Sequence, residues 1–93
     1  MALARRIGIL TENFIVNDRL TGAQNGANQL FFTTYKYIKE SLELYYNGVC
    51  QVEGIDYEKE ESGGAGTGYD SIRFIERKPL PEDVIFANYL KEV

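Results

Sequence analysis

The clearest alternation of apolar and polar positions runs from Ser41 to Val52. Leu42, Leu44 and Tyr46 point one way along an extended chain, and Glu43 and Tyr45 point the other. That is the period of a half-buried strand. Asn47-Gly48 breaks the alternation, and Val49-Cys-Gln-Val52 resumes it. Asn-Gly is the preferred central pair of a type I′ turn, which needs positive φ at both positions. The segment therefore predicts a β-hairpin.

Shorter segments read the same way. Phe14-Ile-Val16 and Leu30-Phe-Phe-Thr-Thr34 carry the β-branched and aromatic residues that suit a pleated surface. Ser71-Ile-Arg-Phe-Ile75 alternates, with Ile72 and Phe74 opposite Ser71, Arg73 and Ile75. Residues 84–89 fit a final strand, and 57–60 a short charged edge that resists unwanted pairing. Residues 22–28 (with Asn25-Gly26), 47–48, 63–68 and 79–81 are rich in Gly, Asn and Pro and read as turns or loops. Asn25, Gly26, Asn47 and Gly48 are the turn residues on which this reading depends. Together these signals predict an all-β fold, a small antiparallel β-sandwich (Ig-like or jelly-roll-like) of about six to eight short strands. The alternative is an α+β fold. Tyr35, Ile38, Leu42 and Tyr45 also fit helical spacing, and Pro81 with Glu82 and Asp83 could open a helix near 81–92.

Length and composition narrow the picture. Ninety-three residues suffice for one domain. The expected organisation is an N-terminal arm over 1–10 and a single sandwich over 11–93. Seven Tyr and five Phe, with no Trp and no His, favour strands. The net charge of −4 argues against nucleic acid as a partner, since the only basic pairs are Arg5-Arg6 and Arg77-Lys78. It argues equally against an anionic membrane surface, and no apolar run reaches the length of a membrane span. A single cysteine, Cys50, excludes an internal disulfide and points to assembly in a reducing cytoplasm.

Candidate chemistry is sparse. Gly63-Gly-Ala-Gly-Thr-Gly68 has phosphate-loop composition, but Tyr69-Asp70 follows where Lys-Ser/Thr is required. A flexible connection between strands fits it better. The acidic run Glu53, Asp56, Glu58, Glu60 and Glu61 would stand side by side along a strand instead of converging on a cation. Cys50 has no His to activate it and reads as a small apolar filler. No catalytic, cofactor-binding or metal-ligating residue is expected, and no cofactor. Alternation cannot bury every aromatic residue, which leaves Tyr35, Tyr37 and Tyr45 as candidates for a contact surface.

The order of motifs carries a resemblance. It runs Leu10-Thr-Glu-Asn-Phe14, Thr21-Gly22, Asn25-Gly-Ala-Asn28 into Phe32-Thr-Thr34, Ser41-Leu-Glu-Leu-Tyr-Tyr-Asn-Gly48, Gly54-Ile-Asp-Tyr57, and Pro81-Glu-Asp-Val-Ile85 with Tyr89. In this order the chain resembles a recurrent β-sandwich module of tailed-bacteriophage structural proteins, over about residues 10 to 90. It departs at Lys39-Glu40, where Pro-Gly is common, and at Cys50.

The resemblance implies a non-catalytic virion component, assembled in the host cytoplasm and bound to other virion proteins of the capsid, neck or tail. It also implies a homo-oligomer or symmetric copies on the particle. A small accessory head-decoration, neck or tail protein fits the short chain best. Arg5, Arg6 and Ile7 in the arm join Tyr35, Tyr37 and Tyr45 as candidate interface residues. The alternative implied role is a host-receptor or glycan-binding module of a tail or fibre.

Overall fold

The computed structural model describes residues 13–93. Seven strands form two antiparallel sheets: β1 (Phe14–Arg19), β2 (Leu30–Tyr37), β3 (Glu43–Tyr46), β4 (Val49–Cys50), β5 (Tyr57–Glu60), β6 (Tyr69–Phe74) and β7 (Ile85–Leu90). One sheet has the order β1-β7-β3-β4 and the other β2-β6-β5. The fold is the small β-sandwich expected. An immunoglobulin sandwich pairs its strands B-E-D and F-C-C′. Here β2-β6-β5 and β7-β3-β4 reproduce those two orders, and β1 lies outside β7, where the last strand of that fold would lie.

Among the described residues, from Phe14 onward no α-helical element occurs. Residues 85–90 are strand, and only a 3-10 turn, Lys39–Ser41, interrupts β2 and β3. The helical alternative fails because both segments alternate and are enclosed on one face. Ile85, Ala87 and Tyr89 are buried on β7, while Phe86, Asn88 and Leu90 lie between them on the other side. Leu42 and Leu44 do the same before and within β3. The 3-10 turn sits at Lys39-Glu40, where Ser41 donates from its amide to Ile38 carbonyl at 2.9 Å and from its hydroxyl at 2.7 Å.

The core lies between the sheets and consists of Leu20, Phe31, Leu44, Ile72, Phe74, Ile85, Ala87 and four other buried side chains. Aromatic rings fill it edge to face or tilted, with Phe31–Phe74 and Tyr37–Tyr89 centroids 5.8 Å apart. Most polar groups that enter it are matched, Gln51 Oε1 being the exception among the described residues. Tyr37 donates its hydroxyl to Ser71 carbonyl at 2.7 Å. Tyr89 donates to Asp18, whose carboxylate also accepts from the amide and hydroxyl of Thr34. Burial pushes both phenols well above the usual tyrosine range. They stay neutral at any physiological pH and act as donors.

The edges are blunted in different ways. β1 is irregular between Ile15 and Asp18, where Asn17 has φ 56° and donates its amide to the Asn88 side chain. β4 is only two residues long. On β5, Lys59 turns a side chain only 5% exposed inward, bonded to Lys39 carbonyl and 3.2 Å from Glu53. An inward-facing charge of this kind discourages edge pairing.

Candidate functional site

Strand ends divide the sandwich into two loop-bearing ends. At one end lie the turns after β1, β3, β4 and β6, and several of the sequence motifs meet there. Asn47-Gly48 forms the expected hairpin turn, with φ values of 50° and 84°. Asn25 accepts the amides of Ala27 and Asn28 through its side chain, and Gly26, at φ 78°, donates to Pro79 carbonyl. In the step Gly54-Ile-Asp-Tyr57, Asp56 accepts the Val52 amide at 2.8 Å and Gly54 donates to Tyr57 carbonyl at 2.7 Å.

Asp83 joins these turns. Its carboxylate accepts from the Tyr46 hydroxyl, from the Asn47 side-chain amide at 3.0 Å and from the Leu80 backbone amide at 2.8 Å. Asn47 in turn accepts the Val84 amide at 2.7 Å. The Tyr46 hydroxyl, the Leu80 amide and the Asn47 side chain together hold the Asp83 carboxyl below the usual carboxylate range. Pro81-Glu82-Asp83 therefore forms a capped turn, not the start of a helix. Gln24 adds a further tie by donating to the carbonyls of Leu80 and Asp83.

This braced framework holds apolar side chains in solvent. Val49, Val52, Ile55, Ile75, Leu80 and Val84 are all exposed, Ile55 most of all at 70% among these six. Beside them a cleft of about 370 Å³ is lined by Ile55, Asp56, Glu76 and Arg77. The Arg77 guanidinium lies over the Tyr46 ring, 4.5 Å from its centroid. The cleft thus offers two carboxylates and an apolar wall. Apolar side chains gathered at one end of a small domain mark a contact surface more often than a catalytic one.

The sequence-predicted interface residues fall in different places. Tyr35 is 45% exposed on β2, with the Lys91 ammonium 4.7 Å from its ring centroid. Tyr45 lies on the outer face of the four-stranded sheet, stacked on Phe86 at 5.0 Å and across from Cys50. Tyr37 is not a surface residue: it is 1% exposed and packed against Tyr69 and Tyr89. Tyr37 keeps the inward parity of Phe31 and Thr33; Tyr35, of the same parity, is the residue turned out, within the irregular stretch of β2 between Phe32 and Tyr37. Cys50 is likewise exposed and not an interior filler. Arg5, Arg6, Ile7 and the arm lie outside the described residues.

No family model, curated protein or solved structure matches the chain. The chemistry must therefore be read from geometry. Among the described residues no group of three or more His, Cys, Asp or Glu is placed to hold a metal ion. The acidic run is dispersed: Asp56 caps a turn, Glu53 pairs with Lys59, and Glu60 pairs with Arg73 at 2.7 Å. The glycine loop already encloses an anion. Glu61 accepts the amides of Gly66 and Gly68 at 3.0 and 2.9 Å, in the place a phosphate would need. Ser62 closes the loop base by donating its amide and hydroxyl to Asp70. Burial pushes the Asp70 carboxyl up, but the bonds from Ser62 and Ser71 outweigh it and the net shift is downward.

The apolar end is the feature that alternation alone does not reveal. Its signal in the sequence is Ile55, an apolar residue between Gly54 and Asp56 in a turn. One exposed apolar residue is ordinary, but Ile55 lines the cleft beside the exposed Val52 and so belongs to a patch.

Proposed function

We propose that the chain is a non-catalytic structural component of a bacteriophage virion that binds neighbouring virion proteins. A small accessory protein of the head, neck or tail fits best, present in symmetric copies and assembled in the host cytoplasm. The observation that carries the reading is the convergence of its motif pieces at one end. Asn25-Gly26, Asn47-Gly48, Gly54-Ile-Asp-Tyr57 and Asp83-Val84-Ile85 occur in the order of the phage module; Asn47 is tied to Asp83 and Val84, Gly26 to Pro79 and Asp56 to Ile75, beside exposed apolar tips. A braced apolar surface binds a protein partner with little ordering cost. The dispersed carboxylates and the glycine loop filled by Glu61 also favour a binding role over catalysis.

The test is the location of the chain in purified particles. Mass spectrometry is expected to find it in stoichiometric amounts, and imaging to find it at symmetry-related positions. A chain made during infection but absent from purified particles overturns the reading.

A second reading is a receptor- or glycan-binding module. The outer-face stack of Tyr45 on Phe86, flanked by Glu43, is the observation that favours it, because sugars stack on such rings. Binding on a glycan array that Tyr45→Ala abolishes would support it, and an array with no signal above background would remove it.

A further inference from the structure

We propose that residues 1–12 of one copy dock on the apolar, acidic end of a neighbouring copy, so that the chain assembles head to tail. This rests on the reading of the chain as a structural component present in many copies.

The attachment point of the segment, at Asn13, and the acceptor cleft lie at opposite ends of the described sandwich. The Lys91 amide donates to Asn13 carbonyl at 2.7 Å, so the preceding segment leaves where β1 begins. The cleft of Ile55, Asp56, Glu76 and Arg77 lies at the other end, past the far terminus of β1. Six residues of β1 span about 20 Å, and crossing to the second sheet adds about 10 Å. Arg6 is seven residues from Asn13 and reaches at most about 25 Å from it. A segment folded back on its own copy would be drawn taut, with Ile7, Ile9 and Leu10 strung along the flank. On a neighbour that limit is absent.

The chemistry is complementary. Residues 1–12 carry two arginines and one acid, a net +1, whereas residues 13–93 carry eight basic and thirteen acidic residues, a net −5. Asp56 and Glu76 line the cleft, and Arg77 in it is drawn toward the Tyr46 ring and the Asp83 carboxylate. Guanidinium groups pair with carboxylates through two parallel hydrogen bonds. Leu3, Ile7 and Ile9 flank Arg5-Arg6, matching the exposed Val52, Ile55 and Leu80 around the cleft. Because the two contacting surfaces differ, one-way repetition gives a ring or an open stack, whereas reciprocal exchange of segments would close as a dimer; the head-to-tail arrangement proposed is the first of these.

Sedimentation of the full chain from micromolar to millimolar concentration tests this. The mass is expected to rise past that of a dimer. Arg5→Glu/Arg6→Glu and, separately, Glu76→Arg are expected to weaken association by about tenfold or more. Combining all three is expected to restore much of it. The substituted residues precede the sandwich or are exposed, and circular dichroism checks that the fold is kept.

A wild-type chain that stays monomeric or stops at a dimer overturns the inference. So does an Arg5→Glu/Arg6→Glu variant that associates like wild type, or a triple variant no better than its parents. Particle incorporation separates the two levels. If the chain is on particles and Arg5→Glu/Arg6→Glu incorporates in full, only the docking inference fails. If the variant fails to incorporate while the isolated wild type is monomeric, the arm serves a different protein and self-docking is overturned.

Discussion

The two ends of the sandwich use one device to opposite effect. At each, a carboxylate gathers donors that no strand ladder satisfies. Asp83 draws two of its three donors from far along the chain: Tyr46 and Asn47 are 37 and 36 residues away, and Leu80 is three. Glu61 draws on Gly66 and Gly68, five and seven residues away. The first set of bonds fastens the turn of one hairpin to the long loop before β7 and keeps Leu80 and Val84 in place. The second set shapes a loop from within, and Lys36 tethers that loop to β2 by donating to Thr67 carbonyl. A long-range tie is lost only when separate elements part, whereas a local one opens with its own loop. A binding surface is thus better built on the Asp83 end than on the glycine loop.

The largest expected effect tests whether the braced end depends on close packing. Gly22 lies where the chain passes from β1 to β2, beside the bridge from Thr21 to Phe32. A Cβ there would stand 2.5 Å from the Phe31 ring and 2.9 Å from Leu30 carbonyl oxygen. Both obstacles are fixed, one by the core and one by the backbone. Gly22→Val is expected to cost about 2–3 kcal/mol, in line with overpacked interiors. At this chain length that lowers the melting temperature by about 10–20 °C. A fall of only a degree or two would mean that this end yields easily.

Asn47→Ala comes next. It removes the bonds to Val84 and Asp83 and places a Cβ-bearing residue less tolerant of positive φ in the turn. A loss of about 1–2 kcal/mol is expected by denaturant titration. Asn47→Gly, which keeps the turn conformation but not the side chain, should recover part of it. If the glycine variant matches wild type, the side-chain ties contribute nothing and the comparison between the two ends loses its basis.

How far these features could be read from residues alone depends on how local their causes are. The turns at Asn25-Gly26 and Asn47-Gly48 were legible because positive φ and side-chain-to-backbone bonding are properties of adjacent residues. The strands at Glu43–Tyr46 and Tyr69–Phe74 were legible from alternation. The inward face of Tyr37 follows from alternation with Phe31 and Thr33, but the outward turn of Tyr35 does not, because an irregularity in β2 sets it and nothing in Thr33-Thr-Tyr-Lys36 announces it. Pro81-Glu82-Asp83 read equally well as a helix start, since an acidic residue after proline serves either structure. Only the arrival of Tyr46 and Asn47 from another hairpin decides the matter. The outer face of Cys50 was legible, because the two-residue Asn47-Gly48 turn already pairs it with Tyr45; reading it as an apolar filler overlooked that register.

Acid titration sharpens the contrast. Asp83 and Asp70 both have carboxyl groups held below their unfolded values, Asp83 by Tyr46, Leu80 and Asn47, and Asp70 by Ser62 and Ser71 against the opposing effect of burial. Each stabilises the fold fully above the unfolded carboxylate value of about 4, and that contribution fades as pH falls through the lower folded value. Melting temperature is therefore expected to drop between pH 5 and pH 2 (about those limits). Asp83→Asn should flatten this drop by global melting. Asp70→Asn should do so less, its effect showing mainly in the exchange of the Ser62 amide. Equal flattening by the two variants would argue that both ends are fastened to the whole fold.

Glu61→Ala is expected to have the smallest effect on overall stability. It removes the acceptor of the Gly66 and Gly68 amides, but these glycines lie at φ 86° and 104° in an exposed loop that touches little of the core. Global stability should change by about 0.5 kcal/mol or less, the ordinary range for surface positions. The exchange of the Gly66 and Gly68 amides should nevertheless quicken severalfold, because the carboxylate accepts both and its loss leaves them to water. The two readings move apart only if loop opening is separate from unfolding. If the melting temperature falls as far as in Asn47→Ala, the glycine loop is fastened as tightly as the Asp83 end, and the distinction between local and long-range ties does not hold for this molecule.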